Sequence, residues 1–184
     1  MTRCWEGRGL GAFVDWVGNG WHTRRPDWAP SPPRGSWLTT LRFIVLGREE
    51  IEAGVRVEVP HVVISIADPG SRRPVVATIG ARRNVLHVRF HDAEPVEGLA
   101  LPPAIRLLTP QQAAKIWRFV DRYRDTIGAV VVHCEQGMSR SPAVAAALCE
   151  ALGGDPRPFF EKFAPNRHVY ELVLRAARKA PKEV

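Results

Sequence analysis

The sequence predicts an α/β fold in which a mostly parallel central sheet of four or five strands is flanked by helices. Two short apolar runs, Val62-Val63-Ile64-Ser65-Ile66 and Ala129-Val130-Val131-Val132, read as strands buried on both faces. A capped, amphipathic helical segment begins at Thr109. Strand-like and helix-like segments alternate from residue 41 onward, as they do when helices cross over between parallel strands.

Leu41-Arg42-Phe43-Ile44-Val45-Leu46 opens the pattern as a first strand. Arg48-Glu49-Glu50-Ile51-Glu52 follows as a short helix closed by Gly54. The run at 62–66 stops at Asp68-Pro69-Gly70, whose residue types suit a turn, so Asp68 is assigned to turn chemistry. Val85-Leu86-His87-Val88-Arg89-Phe90 alternates and ends in the polar pair His91-Asp92. Thr109 is then a helix N-cap, Pro110 the first helical residue and Gln112 the capping-box partner. That helix places Ala113, Ile116, Trp117, Val120 and Tyr123 on one apolar face, which makes Trp117 a core residue. After the strand at 129–132 and a loop at 133–141, the stretch 142–152 is apolar and alanine-rich, with Gly153-Gly154 as its stop. Two further helices are expected over about 156–163 and 168–179.

At 184 residues the chain fits one domain with an extension. Residues 1–37 stand apart as a flexible tail, with the folded domain over 38–184. The tail holds Trp5, Trp16, Trp21, Trp28 and Trp37, many glycines, and no sustained period. Tryptophans are unusual in disorder, so a docking segment or upstream sequence from a misassigned start are the other readings. No apolar run is long enough to span a bilayer, and the N-terminus lacks the apolar stretch of a secretory signal. The net charge of +7 comes from 22 Arg and only 4 Lys, spread over every segment. A solvated, arginine-biased surface accounts for it, because no clustered basic face or nucleic-acid module is present. Three cysteines without paired spacing exclude a disulfide scaffold and a zinc ribbon. A reactive thiol suits a reducing compartment, and the expected location is cytoplasmic.

The chemistry is concentrated in His133-Cys134-Glu135-Gln136-Gly137-Met138-Ser139-Arg140-Ser141. In a chain with 22 arginines, a cysteine followed six positions later by arginine means little alone. Its context discriminates: a buried strand runs into Cys134, Gly137 relieves backbone crowding, and an apolar helix starts just after Arg140. Successive N–H groups over 135–139, at a helix N-terminus, form a concavity suited to a phosphate dianion. Arg140 adds a planar two-donor fork that lysine lacks. The same field stabilises a thiolate, which makes Cys134 a nucleophile for phosphorus. Ser141 is placed to donate to that sulfur, and His133 to orient the loop by bonding to backbone. Cys4 and Cys149 are followed six positions on by Leu10 and Asp155, and Cys149 reads as helix core.

This loop resembles the signature of the dual-specificity branch of the protein tyrosine phosphatases. Pro165-Asn166 before an amphipathic helix is similar to that branch's proline-asparagine element, whose asparagine braces the catalytic loop. The likeness runs from about Leu41 to Ala180. It implies a phosphocysteine mechanism with no metal or other cofactor, and Asn166 as the brace. A leaving alkoxide also needs a general acid on the same face. Asp92, just after a strand, is the first choice and Glu94 the backup. Asp121 and Asp125 read as surface pairs with neighbouring arginines.

The alternatives are a rhodanese-like enzyme and a phosphate-binding pseudophosphatase. The resemblance implies phosphotyrosine as substrate, extending to phosphoserine and phosphothreonine. Small phosphomonoesters and RNA 5′-phosphates remain open. Glu135 and Gln136 put no cation on the loop, which argues against highly charged inositol phosphates.

Overall fold

The computed structural model describes residues 12–14 and 41–180. In chain order its elements begin β1 (Ala12–Val14), β2 (Arg42–Leu46), α1 (Arg48–Ala53), β3 (Val55–Arg56), β4 (His61–Ala67), β5 (Thr78–Ile79) and β6 (Arg82–Arg89). They continue α2 (Pro110–Tyr123), β7 (Ala129–His133), α3 (Arg140–Ala151), α4 (Arg157–Lys162) and α5 (Arg167–Lys179). The main sheet runs β1-β2-β7-β4-β6, with every pairing parallel except β1 against β2. This is the α/β architecture expected from sequence. No strand is expected from sequence over 1–37, yet Ala12–Val14 pairs antiparallel with β2; the rest of that segment lies outside the described residues. The two-residue strands β3 and β5 pair with each other and are too short to leave a sequence signal.

Burial explains the apolar runs. All seven residues of β4 and all five of β7 are buried, because both strands lie inside the sheet with elements on each face. Val130 and Val132 point into the larger core with Phe43, Val45, Val62 and Ile64, beneath α2, α3 and α5. Ala129 and Val131 face the other side with Ile44, Val63 and Ile51 of α1.

α2 begins as its sequence dictates. The Gln112 amide donates to Thr109 Oγ1 at 3.2 Å, and the Thr109 amide to Gln112 Oε1 at 3.0 Å. Its residues Ala113, Ile116, Trp117 and Val120 are buried in the core, with Tyr123 partly buried against it. α3 is buried without a break from Arg140 to Cys149, and its alanines let it lie close between sheet and α5. It starts at Arg140, two residues before the segment legible in the sequence.

The consequence for function lies at one edge. Because β2, β4, β6 and β7 are parallel, their carboxyl ends meet on the same side of the sheet, where ligands of open α/β folds bind. Gly47, Asp68, Phe90 and Cys134 are the residues that follow those four ends.

Candidate active site

Cys134 leaves β7 buried, 2 % exposed, at the floor of the loop. Its sulfur accepts from the Gly137 amide at 3.3 Å and lies 3.2 Å from Ser141 Oγ. Its own amide donates to Leu46 O at 3.3 Å. Among the described residues, the amides of Glu135, Gln136, Met138 and Ser139 donate to no protein acceptor. A row of unused donors therefore follows Cys134 to the head of α3, a pattern suited to binding an anion.

Gly137 makes that path possible. Its φ is +75°, and a Cβ there would stand 2.7 Å from Gly47 N and 2.8 Å from the Leu46 carbonyl carbon. Gly47 sits close in return, with its own Cβ direction 3.3 Å from Gln136 O. The loop is pinned on this flank by α1: Arg48 N donates to Glu135 O at 2.9 Å, and Arg48 Nη1 contacts both Glu135 carboxylate oxygens at 2.9 and 3.0 Å. The Glu135 side chain is thus tied to protein, and only its backbone is left for a bound anion.

Arg140 is 3 % exposed. Its Nη1 donates to Asp68 Oδ1 at 2.5 Å and to Phe90 O at 2.8 Å. Its Nε is buried and has no hydrogen-bond partner. Asp92 Oδ2 stands 3.7 Å from that nitrogen, within ion-pair range but beyond a hydrogen bond.

Asp92 reaches the loop on the sheet edge where Cys134 emerges. Its Oδ1 accepts from Ser139 Oγ at 2.8 Å and from Asn166 Nδ2 at 3.0 Å. Ser139 is the N-cap residue of α3, but its hydroxyl serves Asp92 instead of the helix. With Oδ1 accepting twice, Oδ2 is the oxygen left without a hydrogen bond, and it is the one beside Arg140 Nε. Asn166 also caps α5, its Oδ1 accepting from Val169 N at 3.0 Å. The brace expected of Asn166 is therefore divided. Its backbone amide reaches Ser139 O at 3.3 Å, while its side chain holds the Asp92 segment. Glu94 turns away, accepting from Arg167 N at 2.6 Å at the start of α5. Met138 is 43 % exposed at the mouth, its carbonyl held by the Ala164 amide at 3.1 Å. Asp121 and Asp125 pair with Arg124 on the surface.

Two details bear on the sequence reading. His133 is fully buried, and neither ring nitrogen makes a hydrogen bond of normal geometry, although the Cys134 backbone lies close enough to favour its charged form. It points to the α1 face of the sheet, opposite Cys134, because adjacent strand residues face opposite ways. Asp68 is the second. Its backbone, and not its carboxylate, serves the turn, while the carboxylate meets Arg140. The rule that nominated Asp92, an acid just past a strand end, applies equally to Asp68. Gly47 and Arg48 had no comparable signal.

Burial pushes the His133 pKa down to about 4, partly offset by the Cys134 backbone, with His87 and Arg48 adding to the depression. Between about pH 6.5 and 4 the unfolded chain binds a proton that the folded chain refuses, so stability falls on acidification through that window. The loss from His133 is roughly 3 kcal/mol by pH 4. His61 and His87, also lowered by burial, act in the same sense. Urea unfolding at pH 7.5 and 4.5 should show this loss reduced in His133→Met; an unchanged difference would refute the assignment. Cys149 is buried in α3, with its pKa pushed up to about 12 by burial, then by Asp155 and Glu150. It is an inert core thiol.

No protein-family model matches this chain, and no curated protein matches it. Solved structures overlap it in part. PTPMT1, in complex with PI(5)P, is 17% identical with a TM-score of 0.41, covering 65% of this chain and 77% of its own. Tk-PTP in its active form is 14% identical with a TM-score of 0.41, covering 76% and 92%. Likenesses this distant decide nothing about the chemistry, which rests on the geometry above.

Proposed function

We propose that this protein is a cysteine-dependent phosphomonoesterase, of the dual-specificity tyrosine phosphatase kind, working through a phosphocysteine intermediate. The observation that carries the reading is the set of unused donors in the loop that begins at Cys134. They are the free amides of Glu135, Gln136, Met138 and Ser139 and the buried Nε of Arg140, which has no hydrogen-bond partner. A buried guanidinium nitrogen without an acceptor is costly, and a phosphoryl oxygen seated in the loop would satisfy it.

In the proposed reaction the Cys134 thiolate attacks phosphorus, and the bond from phosphorus to the leaving oxygen breaks. Asp92 Oδ2 supplies the proton that the leaving oxygen takes. Water then attacks the phosphocysteine, giving its proton to Asp92, and sulfur leaves as a thiolate. The Ser141 hydroxyl, 3.2 Å away, stabilises that departing charge. Phosphotyrosine in proteins is the proposed substrate, with the cytosol as the proposed location.

Hydrolysis of a series of aryl phosphates tests this. Asp92→Asn should lower kcat by about 10²- to 10⁴-fold for poor leaving groups and far less for good ones. Equal losses across the series would remove Asp92 from the acid role. A wild-type protein that binds phosphate without turnover would be a pseudophosphatase, and one that transfers sulfur from thiosulfate would be rhodanese-like.

A further inference from the structure

We infer that Asp68 is a positioning residue for Arg140, aiming the guanidinium so that a phosphoryl group meets its Nε; this rests on the proposed phosphatase reading. Arg140 is buried, and its Nη1 has two protein acceptors, Asp68 Oδ1 at 2.5 Å and Phe90 O at 2.8 Å. Both acceptors follow strand ends, of β4 and β6, so the sheet fixes where they stand. With Nη1 held from two directions the guanidinium plane cannot turn, and Nε remains without a hydrogen-bond partner. Asp68 supplies the only charge of the two. Without it Nη1 would keep only a backbone carbonyl, and the charge left nearby would be Asp92, 3.7 Å from Nε and outside hydrogen-bond range.

The turn after β4 is built to free this carboxylate. Asp-Pro-Gly turns often use the aspartate side chain to close on their own backbone. Here the Asp68 carbonyl does that work, accepting from Ser71 N at 3.2 Å and Ser71 Oγ at 2.8 Å, while Gly70 takes the required positive φ of 85°. Arg89 Nη1 ties the turn to β6 through Ser71 O at 2.9 Å. A stapled turn holds the carboxylate at one place relative to Arg140. The two aspartates at the site thus divide: Asp68 engages Nη1, and Asp92, oriented by Ser139 and Asn166, stands beside Nε.

The sign of the effect separates this role from that of a bystander. A carboxylate near a bound dianion repels it, so removing an idle Asp68 charge should tighten anion binding. Removing a positioning carboxylate should loosen it. The test is Asp68→Asn, with Asp68→Glu as a variant that restores the charge, each checked by thermal melting. Tungstate binding to full-length protein carrying Cys134→Ser, read by calorimetry, reports on Arg140 without requiring turnover. Asp68→Asn should weaken it roughly tenfold, with a like rise in KM for an aryl phosphate, and Asp68→Glu should recover part of the loss. In an Arg140→Ala background Asp68→Asn should add almost nothing. Tighter or unchanged tungstate binding, or full additivity with Arg140→Ala, would overturn the assignment. Weakened tungstate binding in a protein that never hydrolyses phosphoesters would uphold Asp68 as the positioning residue while refuting the hydrolase.

Discussion

Replacing Cys134 by serine should abolish phosphoester turnover, lowering kcat by at least about 10⁴-fold, while oxyanion binding survives. A serine hydroxyl is not ionised at neutral pH and has no adjacent base to take its proton, so the attack on phosphorus is lost. Binding depends on other atoms. The amides of Glu135, Gln136, Met138 and Ser139 and the Arg140 Nε make no bond to the sulfur, and the Gly137 amide and Ser141 hydroxyl can bond to oxygen as they do to sulfur. The change removes little from the core, so stability should move by no more than about 1 kcal/mol. Paired measurements check this: steady-state hydrolysis of an aryl phosphate, and phosphate or vanadate titration by calorimetry. Hydrolysis that survives in the variant and depends on an added metal would refute the mechanism.

The second large effect belongs to Gly137→Ala, a substitution of one methyl group. The added Cβ would lie 2.7 Å from Gly47 N, 2.8 Å from the Leu46 carbonyl carbon and 3.0 Å from Leu46 O. All three are backbone atoms, and Leu46 is paired in register with His133, so no flexible side chain can yield. The φ of +75° adds a penalty that alanine carries and glycine does not. Together the left-handed backbone and overpacking cost about 2–4 kcal/mol. The loop must open, which displaces the Gly137 amide from the sulfur and the neighbouring amides from any bound phosphate. The melting temperature should fall by several degrees, and kcat/KM by about 10²-fold or more. Wild-type kinetics and melting together would mean that the loop does not pass this close to β2.

Why these two residues were found from sequence, while others were not, follows from the range of the contacts. Cys134, Gly137, Arg140 and Ser141 lie within one strand–loop–helix unit, whose geometry is local. Spacing therefore places them near one another whatever the rest of the chain does. The helix start at Thr109 was legible for the same reason, since its capping box spans only Thr109 to Gln112. Ile64 and Val131 marked their strands because burial on both faces leaves no polar alternation to confuse the reading. His133 was harder to read because a histidine beside the cysteine invites a polar role. The alternation of the strand turns its ring to the opposite face, where neither nitrogen makes a hydrogen bond of normal geometry.

Other features cross long stretches of chain. Asp68 and Arg140 are separated by 72 residues, Asp92 and Asn166 by 74, Arg48 and Glu135 by 87. Those pairings depend on strand order, since β7 must insert between β2 and β4 to bring their ends together.

The sequence by itself determined the α/β class and singled out the loop at 133–141, with Cys134, Gly137 and Arg140 in it. It also nominated Asp92, by its place after a strand. Only the tertiary structure decided that the Asp92 carboxylate is turned by Ser139 and Asn166, that Gly47 makes room for the Gln136 carbonyl, and that Asp68 meets Arg140. The physical reason is that local propensity sets what each strand is, whereas the order of strands in the sheet sets which ends face one another. The site of this protein is built from four such ends.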